Sequence, residues 1–210
     1  MNINSKGTLL IVSGFAGSGK GTLMKGLTSL YDNYALSISA TTRAPRPGEE
    51  DGREYFFKTK EEFEDMISKG DFLEHACYVG NYYGTPAPYV DKMLNEGKDV
   101  ILEIEIQGAL QVKEKRPEAL LIFVMPPSVE EIYNRLKKRG TEDEETIMKR
   151  MRRGSEEILD VSKYDYIMIN DELDKCIEEL HMIVQSAKNR VLCNAQLIEN
   201  TKSQFEQFLK

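Results

Sequence analysis

Residues Thr8 to Thr22, TLLIVSGFAGSGKGT, constrain this chain more than any other stretch: an apolar run opens into three glycines within six residues, then a lysine and small residues able to begin a helix. Leu9, Leu10, Ile11 and Val12 do not alternate with polar residues, which predicts a strand buried on both faces of a parallel sheet. Gly14, Gly17 and Gly19 permit backbone angles that other residues resist, so successive N–H groups can converge on anionic oxygens. Lys20 adds a full positive charge, and a helix over about Lys20 to Leu30 aims its positive dipole end at the same point. Gly14, Phe15, Ala16, Gly17, Ser18, Gly19, Lys20, Gly21 and Thr22 therefore read as a phosphate cradle. The spacing fits G-x-x-x-x-G-K, except that Gly21 stands where Ser or Thr is usual and the hydroxyl comes one residue later, at Thr22. A glycine-rich turn with a stray lysine would leave the strand before it and the helix after it without a reason.

A chain of 210 residues with 40% hydrophobic content can bury one substantial core, with a smaller lobe attached. No apolar run approaches the length of a membrane span, and the start MNINSKG lacks the apolar segment of a secretory signal, so the expectation is a cytoplasmic protein without a membrane partner. Cys77, Cys176 and Cys193 are odd in number and far apart, which indicates neither a disulfide framework nor a zinc site. A net charge of −7 argues against a nucleic-acid partner and leaves small anionic ligands. Within that acidic chain, five of ten arginines fall between Arg135 and Arg153.

Along the chain, Ala35 to Thr42 reads as a second strand. The prolines and glycines of RAPRPGEEDGREYFF then place Arg43, Arg46 and Arg53 on or beside a loop, ahead of a short strand at Tyr55 to Phe57. Thr59 with Glu62 is a capping-box pattern before a short amphipathic helix ended by Gly70. FLEHACYVGNYYGTP reads as a hairpin turning at Gly80-Asn81. Tyr89 to Leu94 is predicted helical, with Gly97 as its stop. Val100 to Ile106 alternates apolar residues with Glu103 and Glu105, so a strand carrying two carboxylates on one face is expected, which invites a metal or a base-binding role. Leu120 to Met125 is a further buried strand. Ser128 and Glu131 form a second capping box, and on the helix that follows Arg135 and Arg139 stand four apart. Gly140 to Thr146 is an acidic turn before a helix carrying Ile147, Met148, Met151 and Ile158, with Arg150 and Arg153 three apart. Tyr166 to Ile169 is the last strand, and Asn170 and Asp171 lie at its end, where open α/β sheets bind ligands. Leu173 to Lys210 reads as helical. The alternation of strands and helices predicts an α/β fold with a parallel sheet covered by helices on both faces, interrupted by an inserted lobe.

Seven separated motifs, GFAGSGKGT, SATTRAPRPGE with DGREYFF, FLEHA, GNYYGT, EIEIQG, RLKKRGTEDEE with KRM, and YIMIND, closely resemble the guanylate kinase family of P-loop nucleoside monophosphate kinases over about residues 7–187. The resemblance implies direct phosphoryl transfer from ATP to GMP, and to dGMP, in purine nucleotide metabolism, with Mg²⁺ accompanying ATP. It implies a single guanylate-kinase-like domain: a P-loop core over about 1–36, 96–138 and 156–190, a mixed α/β monophosphate-binding lobe over about 37–95, a helical lid over about 139–155 and a helical tail over about 190–210. Ser39, Arg43, Arg46, Tyr55 and Tyr83 are implied to grip the GMP phosphate, through arginine forks and neutral hydroxyl donors. Glu74, Thr85 and Glu105 match the guanine positions; a carboxylate accepts the N1 and N2 hydrogens of guanine and is repelled by the unprotonated N1 of adenine.

Arg135, Arg139 and Arg150 match lid arginines over the ATP phosphates and, with Lys20 and Arg43, form the implied catalytic set. Asn170, with Asp171 beside it as a further candidate, is implied to border the adenine. Glu103 and Glu105 stand where the family often has Asp, and Arg152 and Arg153 replace smaller residues and receive no role. Mg²⁺ is expected mainly on ATP oxygens and water, with Thr22 and Glu103 as the candidate protein contacts and no firm ligand. His75 and His181 read as structural. A noncatalytic interaction module typically loses the cradle lysine or the lid arginines, both kept here; a kinase for another monophosphate turns on Glu74 and Thr85. A monomer and a homo-oligomer both fit the sequence.

Overall fold

The computed structural model describes residues 6–78, 80–140 and 142–210. Residues 1–5 at the start, Val79 in the expected hairpin turn and Thr141 in the expected acidic turn lie outside the described residues.

Strand β1 (Leu9–Gly14) turns Leu10 and Val12 to one face and Leu9 and Ile11 to the other, and all four are buried. Both faces are covered, so the strand carries no polar alternation. Helix α1 (Lys20–Leu30) packs Leu23, Met24 and Leu27 onto the first face. The single strand expected over Ala35 to Thr42 is two: β2 (Tyr34–Leu36) belongs to the main sheet and β3 (Ser39–Thr41) to a second sheet. Ser37 still donates its N–H to Ile101 O at 2.8 Å before the chain leaves the main sheet. Strand β4 (Tyr55–Phe57) runs parallel to β3. Helix α2 (Lys60–Lys69) has both halves of the Thr59–Glu62 capping box and ends at the left-handed Gly70. Strands β5 (Phe72–Tyr78) and β6 (Asn81–Pro86) form the expected hairpin, and the second sheet has the order β4-β3-β6-β5. Ala40, Phe63 and Phe72 make its small core.

Helix α3 (Ala87–Asn95) leads back to the main sheet, where β7 (Asp99–Glu103) pairs with β1. The strand expected through Ile106 is corrected here: β7 stops at Glu103, and Glu105 is the cap position of α4 (Ile106–Lys115). Val100, Ile101 and Leu102 are all buried, so the apparent alternation is the junction of a two-sided strand with a helix. Strand β8 (Leu120–Met125) precedes α5 (Val129–Arg139), where Ser128 accepts from Glu131 N; the Glu131 carboxylate binds Arg135 at 2.8 Å, so only half of the expected box forms. Helix α6 (Glu144–Glu157) is capped by Asp143 and stops before Ile158, which begins a 3₁₀ turn over Ile158–Lys163. Strand β9 (Tyr166–Ile169) completes a five-stranded parallel sheet ordered β2-β7-β1-β8-β9. Helix α7 (Leu173–Ala187) joins α1 on one face, while α3 and α4 cover the other. A 3₁₀ turn, Val191–Asn194, leads into α8 (Ala195–Phe208), which buries none of its residues.

Fully buried Asp99, at the start of β7, accepts from Thr8 N at 2.8 Å and Asn33 Nδ2 at 2.7 Å and pairs with Lys188 at 2.8 Å. Of the three cysteines, Cys176 lies in the core and Cys77 is exposed. Among the described residues no helix is long and apolar enough to cross a membrane.

Candidate functional site

Parallel strands β1, β8 and β9 end at one edge of the main sheet, which brings the loop after Gly14 beside Asn170. Gly17 (φ 81) and Gly19 (φ 87) hold left-handed conformations in that loop. A Cβ on Gly19 would fall 2.5 Å from Asn170 Nδ2, and one on Gly14 would fall 2.2 Å from Val124 O, so the neighbours leave no room for a side chain at either position. Buried Asn170 donates from Nδ2 to Ser18 O at 2.8 Å. Arg135 donates from one terminal nitrogen to Asn170 O at 3.0 Å, with its other 3.5 Å from Ser18 O, which ties α5 to the back of the loop. Phe15 packs edge-on against Phe123 at 5.0 Å, and Ala16 lies against the same cluster. Helix α1 begins with no side-chain cap and no acidic residue in its first turn. Its leading N–H groups and the positive end of its dipole therefore suit an anion.

Lys20 donates from Nζ to Gly14 O and to Phe15 O, the second at 3.2 Å. Burial lowers its pKa, against the opposing pull of the Glu103, Glu105 and Glu157 carboxylates.

The second sheet gathers another set by register. Ser39 pairs with Tyr55, Thr41 with Tyr83 and Glu74 with Thr85, and residues two apart on a strand share a face, so Ser39, Tyr55, Tyr83, Thr85 and Glu74 all lie on one face. Arg43 lies over that face, 5.4 Å from the Tyr55 ring centre and 5.9 Å from that of Phe57. Its guanidinium donates to Glu49 Oε1 at 3.0 Å, while Glu49 Oε2 accepts from Arg46 N at 2.7 Å. These two bonds hold the Glu49 carboxyl below its ordinary pKa. Glu74 is buried, accepts from the Thr85 hydroxyl at 2.7 Å, and sits against the first turn of α4, where a Cβ on Gly108 would be 3.0 Å from Glu74 Oε2. Burial pushes the Glu74 pKa up and the Thr85 hydrogen bond opposes that.

The remaining candidates flank these groups. Arg139 is exposed at the end of α5, and Arg150 on α6 pairs with Glu142. Glu105 is exposed and pairs with Arg153 at 3.0 Å, and Arg153 also binds Glu157 at 2.9 Å. Sequence reasoning missed Glu49, Arg153 and Glu157. Glu157 was signalled by its helical spacing of four from Arg153; Glu49 carried no such signal.

Gly21 and Thr22 are exposed where α1 begins, and a Cβ on Gly21 would meet only Glu103 Oε1, at 4.0 Å. Partial desolvation raises the Glu103 pKa, with Lys20 acting against it. No group of three or more His, Cys, Asp or Glu able to hold a metal ion occurs among the described residues. A single carboxylate, Glu103, near the first turn of α1 suits a hard divalent cation that arrives with phosphate oxygens and keeps its waters, rather than one caged by protein.

The guanylate kinase family model matches residues 6–187. A guanylate kinase of Caldanaerobacter subterraneus subsp. tengcongensis is 53% identical over 197 residues, which covers 94% of this chain and 96% of that one. One from Halalkalibacterium halodurans is 54% identical over 179 residues, or 85% and 88% of the two chains. The crystal structure of guanylate kinase from Anaplasma phagocytophilum is similar with a TM-score of 0.68 at 31% identity, covering 90% of each chain.

Proposed function

The chain belongs to the guanylate kinase family and catalyses the ATP-dependent phosphorylation of GMP to GDP, and we propose that the phosphoryl group passes between the glycine loop after β1 and the polar face of the second sheet. In this reading the parallel sheet and its helices are the core, residues of about 37–95 form the GMP-binding lobe, about 139–155 the lid, and about 190–210 a tail.

The ATP phosphates lie on the N–H groups of the loop and of the first turn of α1, and Lys20 turns from the Gly14 and Phe15 carbonyls onto phosphate oxygens. Asn170 borders the adenine. Ser39, Arg43, Arg46, Tyr55 and Tyr83 hold the GMP phosphate, with Glu49 fixing Arg43 above the Tyr55 ring. Glu74, Thr85 and Glu105 take the guanine edge. An oxygen of the GMP phosphate attacks the terminal phosphorus of ATP as the bond to the ADP oxygen breaks, and Lys20, Arg135, Arg139 and Arg150 neutralise the charge spread over the moving group. No protein nucleophile is needed.

The family generally requires a divalent metal. Thr22 and Glu103, both exposed, are the residues that would contact Mg²⁺, and when bound the ion would supply charge neutralisation on the ATP oxygens. We extend the reading to dGMP, since no assigned contact involves the ribose, and to action in the cytoplasm without nucleic acid.

The observation that carries the guanine assignment is the buried Glu74–Thr85 pair, an acceptor held ready beside the polar face. A coupled assay over GMP, dGMP, AMP, CMP and dTMP tests it. Turnover is expected with GMP and dGMP alone, and equal rates with AMP would overturn it.

A further inference from the structure

We propose that Arg153 is a positioning residue for GMP, acting through Glu105. The proposal rests on the reading of Glu105 as a contact to the guanine edge. Glu105 stands at the cap position of α4, yet its carboxylate does not cap that helix. Arg153 instead holds Glu105 Oε2 at 3.0 Å, which orients the group and leaves Oε1 to face a ligand. The guanidinium is itself fixed from behind, because Arg153 Nε donates to Glu157 Oε1 at 2.9 Å and the Glu157 side chain is only 14% exposed. A planar fork bound by carboxylates at two edges presents a defined geometry that a lysine would hold less firmly.

The position of Arg153 on α6 gives this pair a second consequence. Arg150 lies one helical turn away, and the adjoining Gly154 rests on the glycine loop, where a Cβ would come 3.5 Å from Phe15 Cδ1. The orientation of Glu105 therefore follows the seating of α6 against the loop that receives ATP. The helix that carries a proposed phosphate contact also sets an acceptor for the base.

The Arg153 and Glu105 side chains are 58% and 71% exposed, so solvent weakens the pair and the expected effect is modest. In steady-state assays Arg153→Ala is expected to raise the KM for GMP about threefold to fivefold, with kcat and the KM for ATP changed less than about twofold. Arg153→Lys recovers part of the loss, and Arg153→Ala combined with Glu105→Gln gives the GMP KM of Glu105→Gln alone. If Glu105→Gln raises the GMP KM and Arg153→Ala does not, the role of Arg153 falls while the base contact stands. If Glu105→Gln leaves the GMP KM unchanged, the assignment of Glu105 itself fails. An equal rise in both KM values on Arg153→Ala marks a general staple of α6 and overturns the proposal.

Discussion

Thr85 donates its hydroxyl hydrogen to Glu74 Oε1 across 2.7 Å, and both residues are buried. Burial raises the Glu74 pKa, so the carboxyl takes up a proton at a higher pH than a free glutamate, which titrates near about 4.3. On the proposed reading, the protonated carboxyl would be a donor facing the donors of guanine. The KM for GMP is therefore expected to climb as pH falls through that raised pKa, with the KM for ATP unmoved. Glu74→Gln should abolish the pH dependence and raise the GMP KM about tenfold to a hundredfold, the loss expected for a charged hydrogen bond. Steady-state kinetics across pH with both proteins checks this.

Arg46→Ala is expected to lower turnover with GMP about tenfold to a hundredfold with the fold retained. Arg46 ties to its loop through its backbone N–H on Glu49, which the substitution preserves. Unchanged thermal unfolding alongside the kinetic loss separates this from destabilisation. Near-normal activity would show that the phosphate grip lies elsewhere.

The open space at Gly21 makes an unusual substitution harmless. The Cβ of Gly21→Ser meets only Glu103 Oε1 at 4.0 Å, and the serine restores the hydroxyl usual at that position, so Mg²⁺-dependent turnover is expected to persist. Thr22→Ala should also remain active, since the proposed reading has the cation held mainly by ATP oxygens and water. Gly19→Ala is the contrasting case: at φ 87, with Asn170 Nδ2 2.5 Å from the added methyl, it should raise the KM for ATP sharply. Titration of Mg²⁺ at fixed ATP distinguishes the three.

Water could accept the phosphoryl group in place of GMP, so residues of about 139–155 and 37–95 are expected to close over both nucleotides before transfer. Small-angle scattering should report a smaller radius of gyration with a bisubstrate analogue. Superimposable profiles would count against closure.

Asp99→Ala is expected to cost about 3 kcal/mol of stability, since it removes three partners of a fully buried carboxylate. It lies at the opposite end of β7 from Glu103, so KM values should hold. Urea unfolding monitored beside steady-state kinetics gives both answers.

The glycine loop was legible because its chemistry is local: Gly17 and Gly19 occupy conformations that the letters alone single out, and the strand and helix adjoin it in sequence. The hairpin of β5 and β6 and the Thr59 cap were legible for the same reason. The split at Ser37 was not, because which of two sheets a short strand joins is decided by residues far along the chain, Ile101 for β2 and Tyr83 for β3. Glu105 was misplaced on a strand because Ile104 and Ile106 imitate its period, although Ile106 already belongs to a helix. The partnership of Arg153 with a residue 48 positions away left no sequence signal.

The resting place of Lys20 on the Gly14 and Phe15 carbonyls has a thermodynamic consequence. Its ammonium is hydrogen-bonded by the main chain, so a phosphate that takes it must compete with two carbonyls. On the proposed reading, nucleotide entry would exchange one host for another, and the lysine would contribute only the difference between phosphate and carbonyl. A smaller increment of that kind would favour the release of ADP after each turnover.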